Sequence, residues 1–342
     1  MAVSAVINGS KQSSRISEPT RTRILEAASR LNYRPNAAAR ALAGCKTQTL
    51  GVAAQLRAGG ANSAFHEILA GILDAALQNQ QHVCVFPIDD WDSDIAKINR
   101  CCDGHIDGMI LINPTIPEEK HTLLPRHTPL IAIHPSIALP GIQSVDCNDE
   151  LAAFELVREL QSMGHRHILH LSGPAKHVDS LRRAQGWRRA LESLGTKPSD
   201  TLLIESDLTA AGARSALKRW LAERETGPLP DAIFCANDAM ALAAITLFQQ
   251  NGLRIPEDLS ICGFGDSLEG QTSQPRLSTV RLPFREMGVR AVESLLGRVQ
   301  EGLEHALPAL GAPLSCHSQL VMRASATPSL RQAQPDLGAD IS

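Results

Sequence analysis

The sequence predicts an α/β protein: a body of parallel sheets covered by helices, preceded by a small all-α head. Two observations carry that expectation. From residue 47 onward, apolar runs of strand length alternate with helical patterns, whereas residues 1–46 hold helix signals alone. The charge divides at the same place. Residues 1–46 carry Lys11, Arg15, Arg21, Arg23, Arg30, Arg34, Arg40 and Lys46 against Glu18 and Glu26, a net of +6, and the other 25 basic and 34 acidic residues sum to −9. A cationic head on an anionic body suits a polyanionic partner for the head, and a plain solvated face is the alternative that charge alone leaves open.

In the head, residues 2–8 read as a short helix with Val3, Val6 and Ile7 at i, i+3 and i+4, ended by Gly9. Ser4, Ala5 and Asn8 lie off that apolar side. Ser17 then caps a second helix that tolerates Pro19 in its first turn, with Ile24, Ala28 and Leu31 as its inner face. Two helices this small bury too little surface to stand alone. Residues 31–44 follow. Pro35 stops the preceding helix, Asn36 caps a new one, the alanines favour it, and Gly44 ends it. A helix of about two turns does not hold itself up in water. It is either a connector that buries Leu42, or a hinge that folds on DNA with Leu42 wedged between base steps of the minor groove and Arg40 beside it.

In the body, strands are expected at 47–55, 83–88, 106–113, 130–134, 168–172, 202–205, 232–236 and 259–264. Helices are expected at 65–79, 151–163, 181–194, 210–223 and 239–251. Continuous apolar strands alternating with amphipathic helices imply parallel sheets buried on both faces. Beyond residue 324 the composition turns to Ser, Pro, Gln and Asp, which predicts a disordered tail at 324–342.

Composition narrows the function. At 342 residues with 43% hydrophobic content the chain can fill two or three cores, and only 3% are aromatic, so a ligand cleft must rely on polar and aliphatic walls. No run approaches the ~18 apolar residues of a membrane span, and the first residues lack the order of a signal peptide, so a cytoplasmic location is expected. The eight cysteines are scattered and read as reduced thiols. Cys101-Cys102 with His105, and His165, His167 and His170, lack the paired spacing of a metal site, so no metal is expected. Gly263-Phe-Gly265-Asp-Ser-Leu268 begins like a dinucleotide fingerprint but has Leu268 in place of the third glycine. Neither a Gly-x-Ser-x-Gly elbow nor a P-loop occurs. An enzyme is not expected, nor a cofactor.

The head motifs Ala-Val-Ser-Ala-Val-Ile-Asn-Gly-Ser, Arg-Ile-Ser-Glu-Pro-Thr-Arg-Thr-Arg-Ile-Leu-Glu-Ala-Ala and Leu-Asn-Tyr-Arg-Pro-Asn-Ala-Ala-Ala-Arg-Ala-Leu resemble the lactose-repressor (LacI) family of bacterial transcription regulators. The resemblance continues, more loosely, to about residue 323. It implies that residues 2–8 are the recognition helix of a helix-turn-helix, that 36–43 form the hinge helix, and that Ser4, Ala5, Asn8, Asn36, Arg40 and Leu42 contact double-stranded operator DNA. Ala5 stands where a longer base-reading side chain is common. Family members have a further helix and turn before the recognition helix, so the head is expected to be partial. The reading that follows is a homodimeric repressor; the alternative is a headless cytosolic sugar-binding sensor.

For the body, the resemblance implies a type I periplasmic-binding-protein-like fold whose chain crosses between two subdomains three times. The expected division is a head and hinge helix at 1–46, an effector-binding and dimerisation domain at 47–323, and the tail. The first subdomain takes 47–147 and 280–310, and the second 148–279 and 311–323. Ligands bind beyond the carboxyl ends of strands, where Asn113, Asn237 and Asp266 lie; Arg183 and His177 follow the Gly173-Pro174 turn. Amide groups and a guanidinium fork suit sugar hydroxyls and carboxylates. The resemblance adds Phe65 as a wall of the site. Gly265 stands where the family usually has an acid, so the sequence predicts an anionic effector, a sugar acid such as gluconate. The 146–149 segment is a further contributor.

Overall fold

The computed structural model describes Val6 and residues 16–31, 33, 46–56, 63–193, 195, 202–223, 228–301 and 313–329. Helix α1 (Glu18–Arg30) has Ser17 at its N-cap in extended backbone and a proline in its first turn. Of its expected inner face, Ile24 and Ala28 are half-buried and Leu31 is exposed.

The first lobe opens with β1 (Thr49–Gln55), α2 (Ser63–Gln78), β2 (His82–Ile88), α3 (Ile95–Cys101) and β3 (Gly108–Ile112). A 3-10 turn at Glu118–Leu123, β4 (Leu130–Ile133) and β5 (Gln143–Cys147) follow. The second lobe holds α4 (Asp149–Ser162), β6 (Ile168–Ser172), α5 (Val178–Glu192), β7 (Leu203–Glu205), α6 (Ala210–Glu223), β8 (Ala232–Cys235), α7 (Asp238–Gln250), β9 (Ser260–Cys262) and α8 (Leu268–Thr272). The chain returns through β10 (Thr279–Arg281) to α9 (Phe284–Glu301) and β11 (Leu314–Cys316) on the first lobe, then leaves again through β12 (Gln319–Val321).

The first sheet runs β11-β5-β4-β3-β1-β2 and the second β7-β6-β8-β9, and every pairing within them is parallel. This is the double-sided burial that continuous apolar strands require: β3 and β6 are buried at every position. Helix α2 turns Phe65, Ile68, Ile72, Ala75 and Ala76 inward, the 3.6-residue stripe of a core-facing helix. It meets α9 at a point where glycine is needed on both sides. A Cβ on Gly71 would stand 2.0 Å from the Arg285 carbonyl oxygen, and one on Gly288 would stand 2.3 Å from that of Ile68.

Two expectations need correction. Leu314–Cys316, placed by sequence with the second subdomain, pairs in register with β5 and is the edge of the first sheet; three residues are too few to show which sheet they join. Residues 324–329 are not a disordered tail. Ile261 N–H donates to the Ser325 carbonyl at 2.8 Å, Ser278 N–H to Ser325 Oγ at 2.8 Å, and Ala326 is buried. Backbone pairing, which composition does not record, fixes this segment; residues 330–342 lie outside the described residues.

The three crossings are 147–149, β10 and β12, the last two pairing antiparallel as a two-stranded ribbon. Of the seven described cysteines, all free, Cys84 is exposed, Cys101 partly so, and five are buried.

His170 lies wholly inside the second lobe, stacked on Phe234 at 4.3 Å, with Nδ1 2.9 Å from the Phe234 carbonyl oxygen. Burial pushes its pKa down to about 3. Folded His170 therefore resists a proton that the unfolded chain accepts near pH 6.5, so its contribution is complete above that pH and is lost as pH falls toward 3. Between pH 7 and pH 5 the wild type should lose about 2 kcal/mol more stability than a His170→Gln variant, measured by urea unfolding. Equal losses would show that His170 does not stay neutral.

Candidate functional site

The carboxyl ends of the two sheets bring together the polar residues that follow the strands. From the first lobe come Asn113 after β3, His134 after β4, and the Asp146-to-Asp149 stretch at the end of β5; from the second come Gly173, Asn237 and the 263–266 segment. Asn113 and His134 both adopt left-handed backbone, φ 48° and 52°. Their N–H groups donate to the carbonyls of Ile133 and Val145, at 2.9 Å each. The strands thus end in the same bend, which aims consecutive loops at one place.

Arg183 is at the centre. It projects from α5, whose first turn is set by His177 at the N-cap. Its Nε donates to Asp149 Oδ1 at 3.0 Å and its Nη1 to the Ala236 carbonyl at 2.7 Å. The guanidinium lies 4.3 Å from the centre of the Phe264 ring. One turn earlier, Asp179 Oδ2 stands 4.0 Å from Nη2, beyond hydrogen-bond reach. Burial works against the charge, but Asp149 and Asp179 outweigh it and hold the Arg183 pKa above its ordinary value. Burial likewise works against the Asp179 carboxylate, and Arg183, then His134, keep its pKa below the usual range.

A second shelf of charge borders this pair. Arg182 Nη1 donates to Asp146 Oδ2 at 2.8 Å, and His134 Nε2 is 2.7 Å from Asp149 Oδ2 and 3.5 Å from Asp146 Oδ1. Burial, then Asp149 and Asp146, push the Cys147 thiol far up.

The sequence-predicted effector residues divide. Arg183, Asn113 and His177 sit at the carboxyl-end cleft, with Asn113 exposed and His177 half-buried. Asn237 is there too, but its amide is used: Oδ1 accepts from Met240 N–H at 2.8 Å as the N-cap of α7, and Nδ2 donates to the Leu208 carbonyl at 2.9 Å. Phe65 is a buried core residue of α2. Asp266 is buried and faces the ribbon, where Arg281 Nε donates to Oδ2 at 2.6 Å and Arg323 Nη2 lies 2.7 Å from Oδ1. Its carboxylate ties β10 and the segment after β12 to the second lobe. Behind it, Asp238 accepts from Thr279 Oγ1 and Ser267 N–H, both at 2.6 Å, and burial raises its pKa.

His134 and Arg182 were missed by sequence reasoning, although His134 follows an apolar strand just as Asn113 does. The residues expected to contact DNA, Ser4, Ala5, Asn8, Asn36, Arg40 and Leu42, lie outside the described residues. A cavity of about 400 Å³ sits under β2 and α3, lined by Phe86, Ile88 and Cys101 among others. Lys97 in its wall pairs with Asp94, and Asp103 lies against His105; the functional reading rests instead on Arg183, where groups from both lobes meet.

Residues 157–325 match the family of periplasmic binding protein-like domains. The described fold is similar to the lac repressor dimer bound to operator and an anti-inducer: TM-score 0.80, 26% identity, covering 95% of this chain and 94% of that one. The sequence is 31% identical over 305 residues to the transcriptional repressor PurR of Aliivibrio fischeri strain MJ11, 87% of this chain and 88% of the relative. It is 32% identical over 296 residues to catabolite control protein A of Priestia megaterium, 86% of each. The chain belongs to the LacI family of transcriptional regulators. As a LacI-family member it is a regulator and not an enzyme; the second sheet lies within the part matched to periplasmic binding protein-like domains, and the likeness to the lac repressor extends over both sheets. No helix among the described residues is long and apolar enough to cross a membrane.

Replacing Asp266 by Asn would leave Arg323 without its buried counter-charge. We expect a loss of about 3 kcal/mol in urea unfolding, at the low end for a broken buried pair because Arg281 is half exposed. A loss under about 0.5 kcal/mol would mean that the ribbon is held without this carboxylate.

Proposed function

We propose that this LacI-family chain is a homodimeric repressor acting on double-stranded operator DNA in the cytoplasm, with its operator affinity set by a small sugar or sugar-acid effector bound at Arg183. The buried Arg183–Asp149 pair carries the reading. It places a guanidinium, with Nη2 still able to take a ligand oxygen, where loops from both lobes meet. A ligand bridging such loops alters the relation of the lobes, and through the dimer the spacing of two DNA-binding heads.

Charge bears on the effector's chemistry. The sequence suggests an anion such as gluconate because Gly265 lacks a carboxyl. Asp146, Asp149 and Asp179 supply three carboxylates around the two guanidinium groups of Arg182 and Arg183. That balance favours a neutral polyhydroxy ligand, with a sugar acid as the alternative.

A second copy suits the surface beside β2. Leu73 and Leu77, i and i+4 on α2, are 48% and 79% exposed. Val85 is exposed on the same side of the sheet, because its register partner Val52 faces the α2 core. Three large apolar side chains on one side form a surface that a partner would cover.

Thermal-shift screening and calorimetry with neutral pentoses and hexoses, and with gluconate and other aldonates, test the effector. A neutral sugar should bind, and Arg183→Lys, which keeps the charge and loses the fork, should weaken it at least tenfold. Unchanged affinity in Arg183→Lys would remove Arg183 from the site, and tight gluconate binding with no neutral ligand would reverse the charge argument. Leu77→Lys should yield monomers in sedimentation and abolish the operator shift on gels while leaving effector affinity intact. A dimeric variant would place the interface elsewhere, and a wild-type chain that binds effector but no DNA would favour the headless sensor.

A further inference from the structure

The first crossing between the lobes carries a set of metal-ligand donors beside Arg183. His134 Nε2, the Cys147 sulfur and an Asp149 carboxylate oxygen all lie within 4.8 Å of one another. His134 follows β4, Cys147 ends the adjacent β5, and Asp149 opens the first helix of the second lobe. The side chains of Asp149 and His134 are 0% and 10% exposed. They face each other at 2.7 Å in a geometry outside that of a hydrogen bond. His134 Nε2 and Asp149 Oδ2 are therefore buried polar atoms without a hydrogen-bond partner, a costly condition unless something else satisfies them.

We propose that His134, Cys147 and Asp149 bind a divalent transition-metal ion of the zinc type. Imidazole, thiolate and carboxylate are the ligands such an ion takes, and three of them leave a fourth tetrahedral position for solvent. Tetrahedral coordination needs donor separations of about 3.3–3.6 Å, so Nε2 and Oδ2 open by about 0.6 Å and the sulfur draws in. The charges agree. With Cys147 as thiolate, the groups Asp146, Cys147, Asp149 and Asp179 carry four negative charges against Arg182 and Arg183, and a divalent cation cancels the excess of two. Binding releases the Cys147 proton to solvent. Arg183 is no obstacle, since it occupies the other carboxylate oxygen, Oδ1. It thereby orients Asp149 toward the metal, the outer-shell support that bound ligands commonly have.

Such an ion would clasp the two lobes at the crossing directly beneath the effector cleft. Its binding is measured without operator or sugar, so its test is independent of the repressor reading. Full-length protein stripped with chelator and dialysed against Zn²⁺ should retain one ion per chain. Loaded with Co²⁺, it should show a thiolate-to-metal charge-transfer band that Cys147→Ser removes, and His134→Gln should weaken affinity at least about 100-fold, beyond the effect of outer-shell changes. No retained ion, a band that survives Cys147→Ser, or wild-type affinity in His134→Gln would overturn the site; the last two would point to a surface thiol such as the exposed Cys84. If a variant does not fold, X-ray absorption on zinc-loaded wild type decides. One sulfur at about 2.3 Å with nitrogen or oxygen at about 2.0 Å supports the site, and a shell without sulfur refutes it.

Discussion

A guanidinium buried at the junction of two lobes must be neutralised where it stands, and the functional half of this molecule is arranged around that requirement. Arg183 draws one carboxylate from the start of α4, one carbonyl from the end of β8, and the ring of Phe264 after β9. Three separate pieces of chain are thereby fixed to one planar group carried by α5. Attraction alone does not repay the removal of such charges from water; additional hydrogen bonds must satisfy the remaining donors. Here the Ala236 carbonyl meets that need on one side, and Nη2 keeps capacity for a ligand on the other.

The second ionic centre has a different task. Asp266 faces away from the cleft and holds Arg281 and Arg323, which belong to the two later crossings. The early crossing ends in the Asp146–Asp149 cluster beside Arg182 and Arg183, while the two later ones form a ribbon tied to the second lobe. A ligand at Arg183 thus acts beside the one crossing that has no ribbon partner. That asymmetry gives a small polar molecule leverage over the relation between lobes, and through a dimer over any DNA-binding segment at its first-lobe end.

Much of the fold is legible in the sequence because parallel strands are buried on both faces. Met109–Ile112, Leu130–Ile133 and Ala232–Cys235 are uninterrupted apolar runs, and all are strands. Gln143–Cys147 escapes this signal, since β5 is only partly buried and its residues alternate with polar ones. Helix α9 has an amphipathic sequence, but its seat on the first sheet depends on a return crossing that no local pattern encodes. Of the site, Arg183 and Asn113 follow from the rule that ligands meet strand ends. Asp149 is reached only as part of the 146–149 segment; its pairing with Arg183, 34 residues away, leaves no local signal. Asn237 shows the converse: the same position satisfies both readings, and its amide serves as a cap. Asp266 shows the limit of position alone, since a residue beyond a strand can turn its carboxylate either way.

The dependence of this architecture on one ion pair is tested most directly by a double-mutant cycle. Unfolding free energies would be compared for wild type, Arg183→Met, Asp149→Leu and the double variant. Each single change should cost about 3–5 kcal/mol by stranding a buried charge, and the double variant should cost at least about 2 kcal/mol less than the sum. Strictly additive losses would mean that the two side chains are stabilised independently, and that the cleft is not organised around their contact.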